Sequence, residues 1–275
     1  MPVHPKPGQY IEVDPGVELY YEDAGEGTPL ILVPGWTFTT EVFEHQISHF
    51  SKTHRVIAID PRSQGRSTLT LHGNDYATHA SDLAKVIRAL DLRQVVLVGW
   101  SFGALTTWGY IRQEGTDNVK AVANIDLSFK PLSVNADDWT EGPLDEIAGA
   151  ATTFLLSPKG QREFVEYYAT NVMIQRQLEP AELFWIVEQS LKTPYYVAAN
   201  LFANGMFSNY LAEAQLVDQS VPALHIIAEH WSETAVPFMN RHCPKTRTAV
   251  LGGHMMFWEH ADAFNRVLGD FLSGL

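Results

Sequence analysis

The stretch 95–113, Val-Val-Leu-Val-Gly-Trp-Ser-Phe-Gly-Ala-Leu-Thr-Thr-Trp-Gly-Tyr-Ile-Arg-Gln, limits the fold more than any other part of the chain. Residues 95–98 are a short β-branched apolar run, the mark of a buried strand. From 102 to 113 the pattern is helical, with Leu105, Trp108 and Ile111 as packing residues. Between them stands Gly99-Trp100-Ser101-Phe102-Gly103. A strand that turns straight into a helix leaves no room for Cβ atoms where the two backbones meet, and the glycines remove them. The serine is left exposed at the apex, and the helix N-terminus behind it favours developing negative charge. Ser101 is therefore the candidate nucleophile.

The rest of the chain supplies a setting for that turn. Residues 1–9 are proline-rich and read as a loose arm. Residues 10–13 and 17–21 form a hairpin across Asp14-Pro15-Gly16. Apolar runs at 29–33, 55–60, 95–98, 119–125, 223–227 and 248–251 read as buried strands. Helical spacing appears at 41–50, 76–90 and 261–272. Continuous apolar strands alternating with helices indicate a mostly parallel, doubly wound α/β sheet covered on both faces. From 131 to 215 strand runs disappear and helical, aromatic-rich segments take over, including Phe164, Tyr167, Tyr168, Phe184 and Trp185. The expected organisation is a core over 1–130, a helical cap over 131–215 and the rest of the core over 216–275.

Charge and cysteine content narrow the partners. The formal net charge is −13, dispersed along the chain, which disfavours nucleic acid and anionic membrane surfaces. Cys243 is the only cysteine, so no internal disulfide forms. The residues 1–7 lack the apolar core of a secretory signal, and no apolar run is long enough to span a bilayer, so a cytoplasmic location is expected. No metal-ligand spacing, Walker loop or dinucleotide fingerprint is present, so no cofactor and no metal are expected. Oligomeric state is not legible.

A serine hydroxyl needs a base, and the base needs a carboxylate. Among eleven histidines, His254 stands in a Gly-Gly-His loop just after the last strand, on the sheet edge where Ser101 lies. His225 lies inside a strand, and His230 and His260 are weak competitors. For the acid, Asp126 ends the strand 119–125, one strand after the nucleophile, while Glu229 and Glu233 follow the strand 223–227. Asp126 is preferred. Asp60 also ends a strand, in a position better suited to holding a loop.

These motifs resemble those of the α/β-hydrolase fold over nearly the whole chain. The matching pieces are Val33-Pro34-Gly35-Trp36, Asp60-Pro61-Arg62-Ser63-Gln64-Gly65-Arg66-Ser67, Gly-Trp-Ser-Phe-Gly at 99–103, and the loop that begins Gly252-Gly253-His254. The resemblance implies an oxyanion hole from the backbone amides of Trp36 and Phe102. It also marks three departures. Pro34 replaces a usual histidine, Ser63-Gln64 replaces a usual Gly-His, and Trp231 occupies the usual position of the acid. A carboxylate at the place of Asp126 is similar to the alternative acid of haloalkane dehalogenases, some fungal lactonases and cofactor-free ring-opening dioxygenases.

The resemblance implies a serine hydrolase acting on an ester or lactone of a small hydrophobic substrate. Trp100, Trp185 and Trp231 are the candidate substrate-binding residues. Two alternatives accompany this reading. One is a cofactor-independent ring-cleaving dioxygenase on the same fold, against which Trp100 and Phe102 stand where histidines are favoured. The other is a receptor-like member that binds a small ligand.

Overall fold

The computed structural model describes residues 9–275. Its strands are β1 (Gln9–Asp14), β2 (Val17–Ala24), β3 (Pro29–Val33), β4 (Arg55–Ile59), β5 (Val95–Trp100), β6 (Val119–Ile125), β7 (Ala223–Ile227) and β8 (Arg247–Val250). They form one sheet in the order β1-β2-β4-β3-β5-β6-β7-β8. β1 pairs antiparallel with β2 and β2 antiparallel with β4, while every pair from β4–β3 through β7–β8 is parallel. The expected α/β class and mostly parallel sheet are observed. The loose arm expected at 1–9 lies outside the described residues except for Gln9, which opens β1.

Strand periodicity divides the core. Ile31, Val33, Leu97 and Val122 point into one apolar layer, while Leu30, Leu32, Val96 and Ala123 point into the other. β5 is buried at all six positions, which is why its sequence reads as a continuous apolar run. The helices α1 (Glu44–Phe50), α2 (Tyr76–Ala89) and α3 (Gly103–Glu114) follow their strands. α1 supplies Ile47 and Phe50 to the second layer, and α2 and α3 supply Leu83, Leu105 and Ile111 to the first. α2 starts where Asp75 accepts the Thr78 N–H at 2.8 Å, an N-cap at the boundary expected from the pattern.

Between β6 and β7 the chain leaves the sheet. Helices α4 (Leu144–Thr153), α5 (Pro158–Tyr168), α6 (Pro180–Leu191) and α7 (Tyr195–Met206) form the insertion. α5 begins on a Ser157 cap with Pro158 at its first position and runs into a π-helical turn, Ala169–Met173. Strand runs are absent here because these helices pack on each other and on the sheet edge rather than into the sheet.

The expected insertion boundary at 215 has a definite place in the structure. It falls inside α8 (Leu211–Ser220), which lies against α3: the Arg112 guanidinium grips the Glu213 carboxylate at 2.7 and 2.9 Å and rests 4.3 Å from the Tyr210 ring. α8 thus belongs to the helical layer of the sheet. The chain closes with α9 (Ser232–His242), α10 (Met256–Glu259) and α11 (Ala261–Leu272), the last burying Phe264 and Leu268 at zero exposure.

Candidate active site

Ser101 sits at the turn between β5 and α3 with φ of 51°, a left-handed backbone that side chains other than glycine rarely adopt. The conformation is enforced from both sides. Its N–H donates to the Ile125 carbonyl on β6 at 2.8 Å, and its own carbonyl accepts the Ala104 N–H at 2.8 Å. A Cβ on Gly99 would lie 2.6 Å from the Ala104 Cα, and one on Gly103 would lie 2.3 Å from the Val33 carbonyl oxygen. Both glycines of the motif are therefore demanded by backbone crossing, and the strain at Ser101 is held by packing on three strands.

His254 and Asp126 meet at the end of β6, the strand that pairs with the end of β5. Asp126 follows the last residue of β6, has φ of 52° and is fully buried. Its Oδ2 lies 2.6 Å from His254 Nδ1, and its Oδ1 accepts the Ala228 N–H at 2.7 Å. Adjacent strand ends thus hold the carboxylate while it orients the imidazole. The His254 ring is 2% exposed and packs 5.5 Å from both the Trp100 and Tyr168 rings. Glu229 is directed elsewhere: it accepts the Gln175 side-chain N–H at 3.0 Å and is exposed, as is Glu233.

The loop that carries His254 is fastened to the insertion. His254 N–H donates to the Val172 carbonyl at 3.2 Å and Met255 N–H to the Met173 carbonyl at 2.9 Å. The Glu259 carboxylate, its side chain 2% exposed, accepts the backbone N–H groups of Gln175 and Arg176 at 2.9 and 3.0 Å.

The loop after β3 carries Trp36. Among the described residues, neither the Trp36 amide nor the Phe102 amide donates a hydrogen bond. The Trp36 indole N–H donates to the Ala198 carbonyl of α7 at 2.8 Å, tying this loop to the insertion. Gln64 accounts for one departure from the expected motif. It accepts the Thr37 N–H at 3.0 Å and donates to the Phe38 carbonyl at 3.1 Å, bracing a loop in which Thr37 has φ of 65°. Asp60 accepts the Thr40 N–H at 2.6 Å and the Arg66 N–H at 2.8 Å, the loop role expected for it, and burial pushes its carboxyl up to about 6.

Ser101 opens into a cavity of about 360 Å³. Trp36, Phe102, Phe164, Phe202 and Trp231 give it a largely aromatic wall, and Tyr168 and His230 add polar edges. Burial holds the His230 imidazole below its ordinary value and raises the Tyr168 phenol well above its own.

Of the three expected substrate-binding tryptophans, Trp231 lines the cavity and two do not. Trp100 points away from it, 1% exposed between Phe38 and Phe257, because the residue before an apical serine still belongs to the strand and faces the core. Trp185 stacks on Trp258 at 5.6 Å on the outer side of α6, with the Arg176 guanidinium 5.7 Å from the Trp258 ring. Glu141 lines the cavity and was not legible in sequence, since it lies in an irregular loop and matches no motif.

Comparison with known proteins agrees with this architecture. The alpha/beta hydrolase fold model matches residues 28–261. The chain is similar to a non-heme chloroperoxidase of Kitasatospora aureofaciens, 31% identical over 147 residues, which are 53% of this chain and 53% of that protein. The matched stretch thus spans about half the length of that relative. In structure it is similar to an esterase from Exiguobacterium antarcticum, with a TM-score of 0.84 at 23% identity, covering 97% of this chain and 100% of that one. It is also similar to an enol-lactonase from Burkholderia xenovorans LB400, with a TM-score of 0.80 at 20% identity, covering 96% and 100%. At those identities the two structures speak for the fold alone. With its strand order, its strained serine turn and a family model matched from β3 to the start of α11, the chain belongs to the alpha/beta hydrolase fold family.

Proposed function

We propose that the protein is a serine hydrolase that cleaves a carboxylic ester or lactone of a small hydrophobic substrate through an acyl-enzyme. The observation that carries this reading is the 2.6 Å contact of Asp126 Oδ2 with His254 Nδ1 at the strand ends beside Ser101. An ionised carboxylate only accepts, so Nδ1 bears the proton and Nε2 presents its lone pair. In this reading Nε2 takes the Ser101 proton as Oγ attacks the substrate carbonyl carbon. The Trp36 and Phe102 N–H groups stabilise the resulting oxyanion; each such donor is worth roughly 3–4 kcal/mol of barrier in comparable sites. Collapse expels the alkoxide, which takes the proton from His254. Water then gives a proton to His254 and releases the acid, restoring Ser101.

The names of the similar proteins, an esterase and an enol-lactonase, are in keeping with this chemistry. So is the aromatic wall of the cavity, which favours an apolar substrate. A small molecule is the proposed partner, and the cytoplasm the proposed location. Among the described residues no helix is long and apolar enough to cross a membrane.

An organophosphate that forms a stable bond to activated serine tests the reading. The expected result is one phosphoryl group on Ser101, loss of p-nitrophenyl ester hydrolysis, and neither label nor activity in Ser101→Ala. Absence of turnover across several ester and lactone chain lengths overturns it. Oxygen uptake with an aromatic heterocycle would move the reading to ring cleavage.

A further inference from the structure

The cavity contains an acid that the hydrolytic cycle leaves unused. Glu141 lies in the loop between β6 and α4. Its N–H donates to the Pro131 carbonyl at 2.8 Å, and its Oε1 accepts the Ser128 N–H at 3.0 Å. Ser128 is two residues past Asp126, and its hydroxyl donates to the Trp139 carbonyl at 2.6 Å, so the loop closes on itself around the carboxyl. Among the described residues Oε2 has no hydrogen-bond partner. Ile147, Ala150, Phe164 and Met206 make the neighbouring wall apolar. Glu141 is partly buried and lines the cavity.

That setting favours the protonated carboxyl. Burial, reinforced by the negative charge of Asp126, pushes the Glu141 carboxyl up to about 8, despite the opposing Ser128 N–H. The phenol of Tyr168, also raised, feels both Glu141 and Asp126 and keeps its proton as well. A neutral carboxyl with Oε1 accepting from Ser128 has an O–H to give from Oε2. A substrate carboxylate placed there would meet the Asp126 charge, and a purely apolar group would leave the acid unpaired in an apolar wall.

We propose that Glu141 is a specificity-determining donor that binds an uncharged acceptor oxygen of the substrate, which makes the substrate class an aromatic ester or lactone bearing a ketone or amide oxygen and not a carboxylate. The inference rests on the ester or lactone reading of Ser101. Glu141 takes no part in the bond exchange; it selects which acyl or alcohol group settles beside the serine.

Three aryl acetates of similar size test it: the para-acetylphenyl, para-isopropylphenyl and para-carboxyphenyl esters, with wild type, Glu141→Gln and Glu141→Leu. Comparing variants cancels the intrinsic reactivity of each ester. The expected result is that the acetyl-over-isopropyl ratio of kcat/KM falls roughly tenfold or more in Glu141→Leu, the cost of an unmade buried hydrogen bond. Glu141→Gln, which still has a donor, retains most of that ratio, and the carboxyphenyl ester is the poorest substrate of wild type. A ratio unchanged in Glu141→Leu overturns the inference, and so does a loss in Glu141→Gln equal to that in Glu141→Leu, because the amide still offers a donor. Circular dichroism and thermal unfolding establish that each variant is folded. Calorimetric binding of para-hydroxyacetophenone and para-isopropylphenol to Ser101→Ala, with and without Glu141→Leu, separates the two readings. Glu141-dependent preference for the ketone without turnover by wild type sinks the hydrolase reading and keeps the donor. Turnover without that preference does the reverse.

Discussion

The Trp100 indole N–H donates to the carbonyl oxygen of His254 at 2.9 Å, so the residue before Ser101 holds the backbone of His254. The two rings also pack at 5.5 Å. Trp100 thereby acts on the relative placement of Ser101 and His254 rather than on substrate. Trp100→Phe, which keeps an aromatic ring and removes the donor, is expected to lower kcat roughly tenfold with little change in KM, as for a lost positioning hydrogen bond. A rise in KM at constant kcat would return Trp100 to the substrate-binding role.

The proposed role of Asp126 as the acid partner of His254 has a direct comparison. Asp126→Asn presents an amide N–H or oxygen to His254 and no longer fixes the tautomer, so kcat is expected to fall roughly a thousandfold or more. Glu229→Gln, at an exposed residue bonded to Gln175, is expected to stay within roughly threefold of wild type. Steady-state hydrolysis of one aryl ester checks both, and a damaged Glu229→Gln beside an active Asp126→Asn would refute the assignment.

Gln64 links stability and rate. It is 2% exposed and satisfies the Thr37 N–H and the Phe38 carbonyl in the loop that carries the Trp36 amide. Gln64→Ala strands both backbone groups, at a cost of roughly 1–3 kcal/mol. Denaturant unfolding is expected to show that loss, and kcat is expected to fall with it because the Trp36 N–H is no longer held. Lost stability with an unchanged kcat would mean that the loop keeps its shape without the glutamine.

Glu141 gives stability a pH dependence of definite sign. Its carboxyl, ordinarily near 4.5, is raised to about 8 in the folded chain. Between those values the folded state holds a proton that the unfolded state has released, so the neutral group favours folding at low pH and stability drains as pH rises through about 8. Glu141→Gln has no such proton. Its Tm difference from wild type is expected to be pH-independent below about 4.5, to shift in favour of the variant as pH rises from there to about 8, and to level off above it. Asp60, raised to about 6, is present in both proteins and cancels. Parallel curves across that range would contradict the assigned protonation.

The fold was legible because parallel strands buried on both faces leave long apolar runs, and β6 and α11 match their expected bounds. Ser101, His254 and Asp126 were legible for a related reason: each stands at the end of a readable strand or just past it, where chain direction alone assigns a sheet edge. Side-chain direction at the insertion was not. Trp231 faces the cavity and Trp185 stacks on Trp258 away from it, yet both are tryptophans in irregular or helical surroundings with no strand to set their side. Glu141 depends on a loop closed by Ser128 and Pro131, contacts ten and thirteen residues apart that no periodicity encodes. Gln64 could be seen as a departure, but its purpose needed the Thr37 and Phe38 backbone in view.

The seam at residues 172–176, where backbone groups of the insertion meet His254, Met255 and Glu259, constrains how such a chain diversifies. Helices α4, α5 and α7 furnish much of the cavity wall, so exchanging the insertion is the direct route to a new substrate. The same exchange removes the carbonyls and amides on which the histidine loop is anchored. A transplant that omits the seam would change recognition and disable the base together, whereas one that carries it would keep reactivity while the wall is rewritten. In this chain the helices that line the cavity and the loop that carries His254 are joined as one structural piece.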